Sequence, residues 1–285
     1  MKQDNRLVAI EGATGRRYMA KLVAAVGTPH GPGLPQQVAD APGTLRAEDL
    51  MNQMRKQLEA AEPDVIIEIA SDHFTNFFYD NLPQFCVGLI EEAEGPWETY
   101  CRMPHSVVKG QPDFARGLLK YALKSRFDLS VTEELRLDHS ILVPLHFLTP
   151  SMDIPVVPLY VNGLAPPLPS ARRCLSFGRA IRRFIAEWDG NERVALVASG
   201  ALSLEVGGPL MGVTDEAWVG TVARLLERGQ YDSLARRATE QRLLAAGNVS
   251  GELLCWITAL GAIGDTLPNQ VETDRGSGYA SWQLE

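Results

Sequence analysis

The chain has 285 residues, of which 45% are hydrophobic and 22% are charged, and its mean hydropathy is −0.08. These values are ordinary for a globular domain and exclude a disordered or fibrous chain. The net charge of −8 and the pI near 5.3 argue against nucleic acid and acidic membranes as partners, because both need a basic face. Apolar stretches are interrupted well before the roughly 20 residues of a membrane span, so no membrane partner is expected.

The first residues are charged and lack the apolar segment of a secretory signal. Residues 1–20 are therefore predicted to be an N-terminal extension, and residues 21–285, which contain no linker, to be one domain. The four cysteines form no CxxC pair, which favours free thiols in a reducing compartment. We expect a cytoplasmic protein. The cysteines are Cys86, Cys101, Cys174 and Cys255.

Two predicted strands in the first part of the chain are each followed by a histidine. The first strand begins at Lys21 and ends shortly before His30, and residues 31–35, rich in Gly and Pro, are expected to form a loop rather than a helix. The second, residues 65–70, has the β-branched run of a strand buried in a parallel or mixed sheet, and it stops shortly before His73. Open α/β sheets bind ligands at the carboxyl ends of their strands, so the two histidines suggest a metal site.

An aromatic-rich segment follows His73, between residues 74 and 97. Such a cluster is suited to line a pocket for a flat apolar substrate, and ordinary core aromatics explain it equally well. His105 is expected to be a surface or structural residue ahead of a helix at residues 113–124.

The second half of the chain supplies another histidine and a carboxylate. His139 follows Asp138, and Glu252 precedes a last apolar helix, whose positive dipole end would stabilise its anionic form. The other predicted elements are strands at 154–162, 193–200 and 276–282, the last at a sheet edge, a helix capped by Ser170, and helices between 215 and 263. Together they predict a single-domain α/β fold with a mostly parallel or mixed central sheet flanked by helices.

Two strand-end histidines and one carboxylate match the facial triad of non-haem Fe(II) oxygenases, which leaves one face of the metal open for substrate and O₂. The pattern by itself also fits histidines with structural roles. Asp72 and Asp138 each precede a histidine. Either could orient an imidazole, or pair with backbone or with a nearby arginine.

Six segments, taken in order, resemble the class III (LigB-type) extradiol ring-cleavage dioxygenases over most of the chain, from about Val23. They are GTPH (27–30), PDVIIEIASDH (63–73), LDHSILVPL (137–145), IPVVPLYVN (154–162), ASGALS (198–203) and AGNVSGE (246–252). The resemblance implies a LigB-like domain, the catalytic (beta-type) subunit, acting with O₂ on an aromatic ring that bears vicinal hydroxyls, or on an aminophenol. It also implies a homo-oligomer such as a dimer, or a hetero-oligomer with a small subunit.

Carried over by motif, the resemblance places the Fe(II) ligands at His30, His73 and Glu252. It also places an active-site histidine at His139, although Ser140 stands where the family has glycine. Leu204 departs from the pattern more seriously, because it occupies the position of the family's acid/base histidine. Such a group is worth roughly 10²–10⁴-fold in rate.

His139 is the predicted substitute for the missing acid/base, ahead of His146. Two other hypotheses stay open. The first is a catalytically silent metal-binding homologue or partner subunit, which Leu204 favours and the retained ligand types disfavour. The second is a zinc hydrolase, for which no second carboxylate is obviously placed as a base.

Overall fold

The computed structural model describes residues 19–284. Its strands are β1 (Lys21–Thr28), β2 (Val65–Ala70), β3 (Phe85–Gly88), β4 (Glu92–Gly95), β5 (Ser106–Lys109), β6 (Ser130–Thr132), β7 (Val156–Val161), β8 (Arg193–Ser199), β9 (Gln270–Asp274) and β10 (Ser277–Gln283). Its helices are α1 (Leu34–Asp40), α2 (Arg46–Ala60), α3 (Pro112–Lys124), α4 (His139–Leu148), α5 (Ala171–Glu187), α6 (Glu216–Glu227), α7 (Tyr231–Arg237), α8 (Glu240–Ala245) and α9 (Leu253–Ile263). The predicted N-terminal extension, residues 1–20, lies outside the described residues except for its last two.

Within the described residues, eight strands form one mixed sheet in the order β6-β3-β7-β2-β8-β1-β10-β9. The four strands β7, β2, β8 and β1 run parallel to one another, so their carboxyl ends meet at one edge. The flanking pairs β3–β7, β1–β10 and β10–β9 are antiparallel. The predicted mixed α/β sheet is confirmed.

Helices cover both faces of the sheet because its central strands are apolar on both sides. Along β2, Ile67 and Ile69 pack into the cluster that includes α3, α5, α6, α7 and α9. Ile66 and Ala70 pack into the cluster that includes α2 and α4. Every residue of β2 is buried, as its β-branched sequence predicts.

Two local predictions were wrong. Leu34 and Pro35 begin helix α1, because proline is tolerated in the first helical turn, where its missing N–H has no partner to lose. The predicted edge strand at 276–282 lies inside the sheet, where β10 pairs with both β1 and β9. The polar β9 forms the edge instead.

The four cysteines are all buried and free, as expected of small core residues. No helix within residues 19–284 is both long and apolar enough to cross a membrane.

The crossing of α5 and α9 depends on Gly178. A methyl group there would overlap the carbonyl of Thr258, so Gly178→Ala should destabilise the fold by about 1–3 kcal/mol, the usual cost of overpacking. Gly220, in the middle of α6, is the matched control, since only the flexible end of Arg224 lies near its added methyl. Gly220→Ala should stabilise by roughly 0.5–1 kcal/mol. Urea unfolding of both variants checks this, and equal effects would contradict it.

Glu68 is a fully buried carboxyl group in the middle of the sheet. Neither of its oxygens has a hydrogen-bond partner among the described residues, and the same holds for the hydroxyl of the nearby Tyr160. Burial, and then the negative charge of Asp138, raise the pKa of Glu68 well above its ordinary value. Glu68 is therefore a neutral acid in the folded protein.

The burial of Glu68 makes the stability of the fold depend on pH. Above the ordinary pKa of a glutamate the unfolded chain releases the Glu68 proton and the folded chain keeps it, so stability falls as pH rises. Relative to Glu68→Gln, the free energy of unfolding of the wild type should decrease as pH rises above the ordinary pKa of glutamate, by at most about 1.4 kcal/mol per pH unit. Urea unfolding between about pH 4.5 and 7 measures the slope. Parallel curves would contradict the assignment, and the exposed Glu92→Gln is the control.

Candidate active site

The parallel strands and two helix starts bring the four predicted site residues together. His30 lies two residues beyond the end of β1, and His73 lies three residues beyond β2. His139 is the first residue of α4, and Glu252 is the N-cap residue of α9. One nitrogen of each of the three imidazoles lies within 4.8 Å of the others.

Glu252 contacts two of these three imidazoles. Its Oε1 lies 3.2 Å from Nε2 of His30 and 3.1 Å from Nε2 of His73, and its Oε2 accepts a 2.7 Å hydrogen bond from the backbone N–H of Ala201. Burial alone would raise the pKa of Glu252, but the two imidazoles outweigh it and hold the pKa well below its usual range.

Gly200, directly after β8, allows Glu252 to sit this deep. A Cβ at Gly200 would lie 2.6 Å from the Cβ of Glu252, and its φ of +156° is one that other residues rarely adopt. Within the ASGALS motif, Gly200 therefore leaves space for the side chain of Glu252. The backbone N–H of the next residue, Ala201, donates a hydrogen bond to the Glu252 carboxylate.

The hydrogen bonds of Ser199 fix the tautomer of His30. The hydroxyl of Ser199 donates to the carbonyl of Ser140 at 2.6 Å, so it has only acceptor capacity left for Nδ1 of His30, 2.7 Å away. Nδ1 of His30 therefore carries the proton. Nε2 then faces Oε1 of Glu252 at 3.2 Å, a contact that a second ring proton or a bound metal ion would make favourable.

Asp138 supports His73. Its Oδ2 accepts a 2.8 Å hydrogen bond from the backbone N–H of His73 and lies 3.5 Å from Nδ1, which is an ion-pair contact rather than a good hydrogen bond. Burial would lower the pKa of His73, but Asp138 and Glu252 together raise it to about 10. Asp138 is also the N-cap of α4 and is fully buried; His73 outweighs the effect of burial and holds the pKa of Asp138 well below its usual range.

The two aspartates therefore behave differently. Asp138 contacts the distant His73 rather than orienting its neighbour His139. Asp72 accepts hydrogen bonds from the backbone N–H groups of Thr75, Asn76 and Phe77 and so shapes the loop after His73. This is the second alternative considered from the sequence, in which the aspartate pairs with backbone.

His139 lies beside the other two histidines, with ring centroids 4.2 Å from His73 and 5.3 Å from His30. Burial, and the positive charge that His73 and His30 can carry, lower its pKa, while Glu98 opposes the shift. Oε1 of Glu98 lies 2.6 Å from Nδ1 of His139 and accepts its backbone N–H at 3.2 Å. Sequence analysis missed Glu98, because no motif marks a loop carboxylate 41 residues away from its partner.

Leu204 is partly buried and is tied to the segment that leads to Glu252. Its backbone N–H donates to Ser250 Oγ at 3.2 Å, and its carbonyl accepts from Val249.

The other histidines lie outside the cluster: His105 is exposed, and His146 is two turns further along α4. Among the described residues, the histidine cluster that could hold a metal is His30, His73 and His139.

The predicted aromatic cluster divides into two sets. Phe85 belongs to the core, where its ring lies 5.1 Å from Phe177. Trp97, the last of the predicted aromatics, is 55% exposed. Tyr100 lies beyond the predicted segment and is 59% exposed, and its ring lies 5.9 Å from His139. Tyr100 therefore borders the histidine cluster, as a pocket-lining aromatic would.

The donor set fits a metal ion. Two ligands at about 2.1 Å from one metal and at right angles to each other lie about 3 Å apart. The distances from Glu252 Oε1 to the two Nε2 atoms, 3.2 and 3.1 Å, match this separation. Ser199 and Asp138 contact the outer nitrogens of His30 and His73, which is how metal-binding imidazoles are usually oriented.

Comparison with known proteins identifies the family of the chain. The family model described as the catalytic LigB subunit of aromatic ring-opening dioxygenase matches residues 24–281. Relatives named 2,3-dihydroxyphenylpropionate/2,3-dihydroxicinnamic acid 1,2-dioxygenase include one from Paraburkholderia phymatum, 29% identical over 80% of this chain and 84% of the relative. Another, from Dechloromonas aromatica, is 33% identical over 72% of this chain and 64% of the relative.

A crystal structure of an uncharacterized protein from Escherichia coli K12 shares the fold, with a TM-score of 0.60, 18% identity, and coverage of 92% of this chain and 100% of that one. The family model spans nearly the whole sheet. It also spans α4, which begins at His139, and α9, which Glu252 precedes as the N-cap. The chain therefore belongs to the LigB family of catalytic subunits of aromatic ring-opening dioxygenases, an extradiol-type enzyme as its motifs predict.

Proposed function

We propose that the protein is an Fe(II)-dependent extradiol dioxygenase for a catechol that carries a carboxylate side chain, with His30, His73 and Glu252 as the metal ligands. The observation that carries the proposal is the single carboxylate oxygen of Glu252 shared by two imidazole Nε2 atoms at 3.2 and 3.1 Å. The substrate class comes from the relatives, whose names specify dihydroxyphenylpropionate. The protein works in the cytoplasm, as a homo-oligomer or with a small subunit.

Iron held by these residues would supply Lewis acidity, which lowers the pKa of a coordinated hydroxyl, and redox chemistry for O₂ activation. His139 accepts the proton that the diol releases on binding and returns it during ring opening. It suits this role because Nδ1 contacts Glu98, and Nε2 has no hydrogen-bond partner among the described residues. Tyr100 lies beside it and packs against the edge of the substrate ring.

Arg136 is the cation that we assign to the substrate carboxylate. Its backbone N–H donates to Asn76, whose side chain donates to Asp72 in the loop after His73. Its guanidinium lies 3.9 Å from the centroid of the Trp97 ring. An arginine stacked on an aromatic face keeps its N–H donors available for a carboxylate.

Arg136→Ala should raise KM for 2,3-dihydroxyphenylpropionate about 10-fold or more, the value of a hydrogen bond to a charged group. The kcat/KM for unsubstituted catechol should not change. Arg172→Ala, at an exposed position on α5, is the control. Equal effects of Arg136→Ala on both substrates would show that the carboxylate is bound elsewhere.

The function is tested by O₂ consumption of anaerobically Fe(II)-loaded protein with catechol, gallate, 2-aminophenol and 2,3-dihydroxyphenylpropionate. The proposal expects uptake of one O₂ per ring opened, a yellow product, and the highest kcat/KM for dihydroxyphenylpropionate. Leu204 favours the rival hypothesis, a catalytically silent subunit. Stoichiometric Fe(II) binding without O₂ uptake on any of these compounds would support that rival and contradict the proposal.

A further inference from the structure

Glu98 is a third buried carboxylate at the site, besides Glu252 and Asp138, and its contact is with His139 rather than with His30 or His73. The side chains of Glu98 and His139 are 7% and 5% exposed, and a 2.6 Å contact joins Oε1 to Nδ1. The other carboxylate oxygen of Glu98 is also buried and has no hydrogen-bond partner among the described residues. A carboxylate this deep is costly unless its partner is a strong donor, so the N–H at Nδ1 of His139 matters to it.

The backbone holds Glu98 in place. Leu137 N–H donates to the carbonyl of Glu94 at 2.9 Å, and Trp97 N–H donates to the carbonyl of Leu137 at 3.0 Å. A Cβ at Gly95 would overlap the Leu137 carbonyl, so the two segments can approach this closely only with glycine there. The segment that carries Glu98 is thus fixed against the residues immediately before His139.

The hydrogen bonds distinguish His139 from the other two histidines. His30 and His73 both direct Nε2 at Glu252, whereas the only hydrogen bond of the His139 ring within the described residues is to Glu98. Because the carboxylate of Glu98 can only accept, the proton of a neutral His139 resides on Nδ1 and the lone pair on Nε2.

We propose that Glu98 is the positioning residue of the reaction: it holds His139 in the Nδ1-H tautomer, with Nε2 facing the substrate, and so lets this histidine serve where Leu204 replaces the acid/base of the family. The inference rests on the proposed function, in which His139 handles the proton of the diol. Carboxylate–imidazole pairs orient general bases in this way in other enzymes.

Glu98→Gln keeps the size of the side chain and an oxygen for the backbone N–H of His139, but it loses the charged acceptor for Nδ1. We expect kcat to fall about 10- to 100-fold, with KM and bound iron little changed, and Glu98→Asp to recover part of the loss. Glu94→Gln, on the exposed side of the neighbouring strand, should have wild-type kinetics.

A double-mutant comparison separates positioning from a purely structural role. If Glu98 acts through His139, Glu98→Gln should cost little further activity in a His139→Phe background. An independent, full-sized loss in that background would overturn the proposal.

A second measurement does not depend on turnover. It therefore tests the role of Glu98 even if the protein proves to be catalytically silent. The ¹⁵N NMR shifts of the His139 ring in zinc-loaded protein should show Nδ1 protonated and Nε2 unprotonated, and Glu98→Gln should mix the tautomers. An Nε2-H ring in the wild type, or an unchanged ring in the variant, would overturn the role of Glu98 without affecting the metal site.

Discussion

His73→Ala is expected to abolish stoichiometric Fe(II) binding and to reduce ring opening by more than about 100-fold, the upper range for losing a group that only supports a ligand. The physical reason is the shared oxygen of Glu252: without His73 the buried carboxylate loses one of its two imidazole partners, and the metal loses a ligand. Iron content after anaerobic loading and desalting, with O₂ uptake on the same sample, measures both effects.

His105→Ala is the matched control, because His105 is exposed and lies outside the cluster. It should bind one iron and retain wild-type activity. The fold of His73→Ala should persist, since His73 lies in a loop beyond the buried part of β2, and thermal unfolding checks this. Full iron occupancy in His73→Ala would contradict the assignment of His73 as a ligand.

His139→Phe is expected to retain iron and to lower kcat by about 10²–10⁴-fold, the usual contribution of a positioned acid/base. Phenylalanine fills the ring's space against His73 and Tyr100 but accepts no proton. Stopped-flow kinetics, with iron content measured in parallel, separates this from ligand loss.

The same variant tests a different ligand set. His139 is close enough to share a metal with His30 and His73, so three histidines are an alternative to two histidines and Glu252. Loss of iron from His139→Phe would support that alternative. Unchanged kcat would show that another group moves the proton. The contact of Nδ1 with Glu98 orients the ring equally well for either role, so the iron content of His139→Phe decides between the two ligand sets.

The features that could be predicted from the sequence are those that depend on short-range residue patterns. The apolar run of β2 and its abrupt polar end located His73, and the start of the last apolar helix located Glu252, because strand and helix boundaries are marked by local residue types. The sheet then made neighbours of residues far apart in the chain, since parallel strands end at a common edge.

Contacts that depend on tertiary packing could not be predicted in the same way. Asp138 adjoins His139 in sequence, yet its carboxylate accepts a hydrogen bond from the backbone N–H of His73. The same carboxylate caps the N-terminus of α4. Glu98 sits in a loop with no motif, and only the pairing of its segment with Leu137 brings it to His139. The position of β10 inside the sheet likewise depends on β9, whose polar sequence gave no strand signal.

The central claim, that this site opens an aromatic ring with both atoms of O₂, is tested most directly by labelling. Fe(II)-loaded protein is mixed with 2,3-dihydroxyphenylpropionate under ¹⁸O₂, and the product is analysed at once by mass spectrometry and absorbance. We predict a yellow ring-opened product in which both oxygen atoms of one O₂ are incorporated. A product cleaved between the two hydroxyl carbons, or one without label from O₂, would contradict the account.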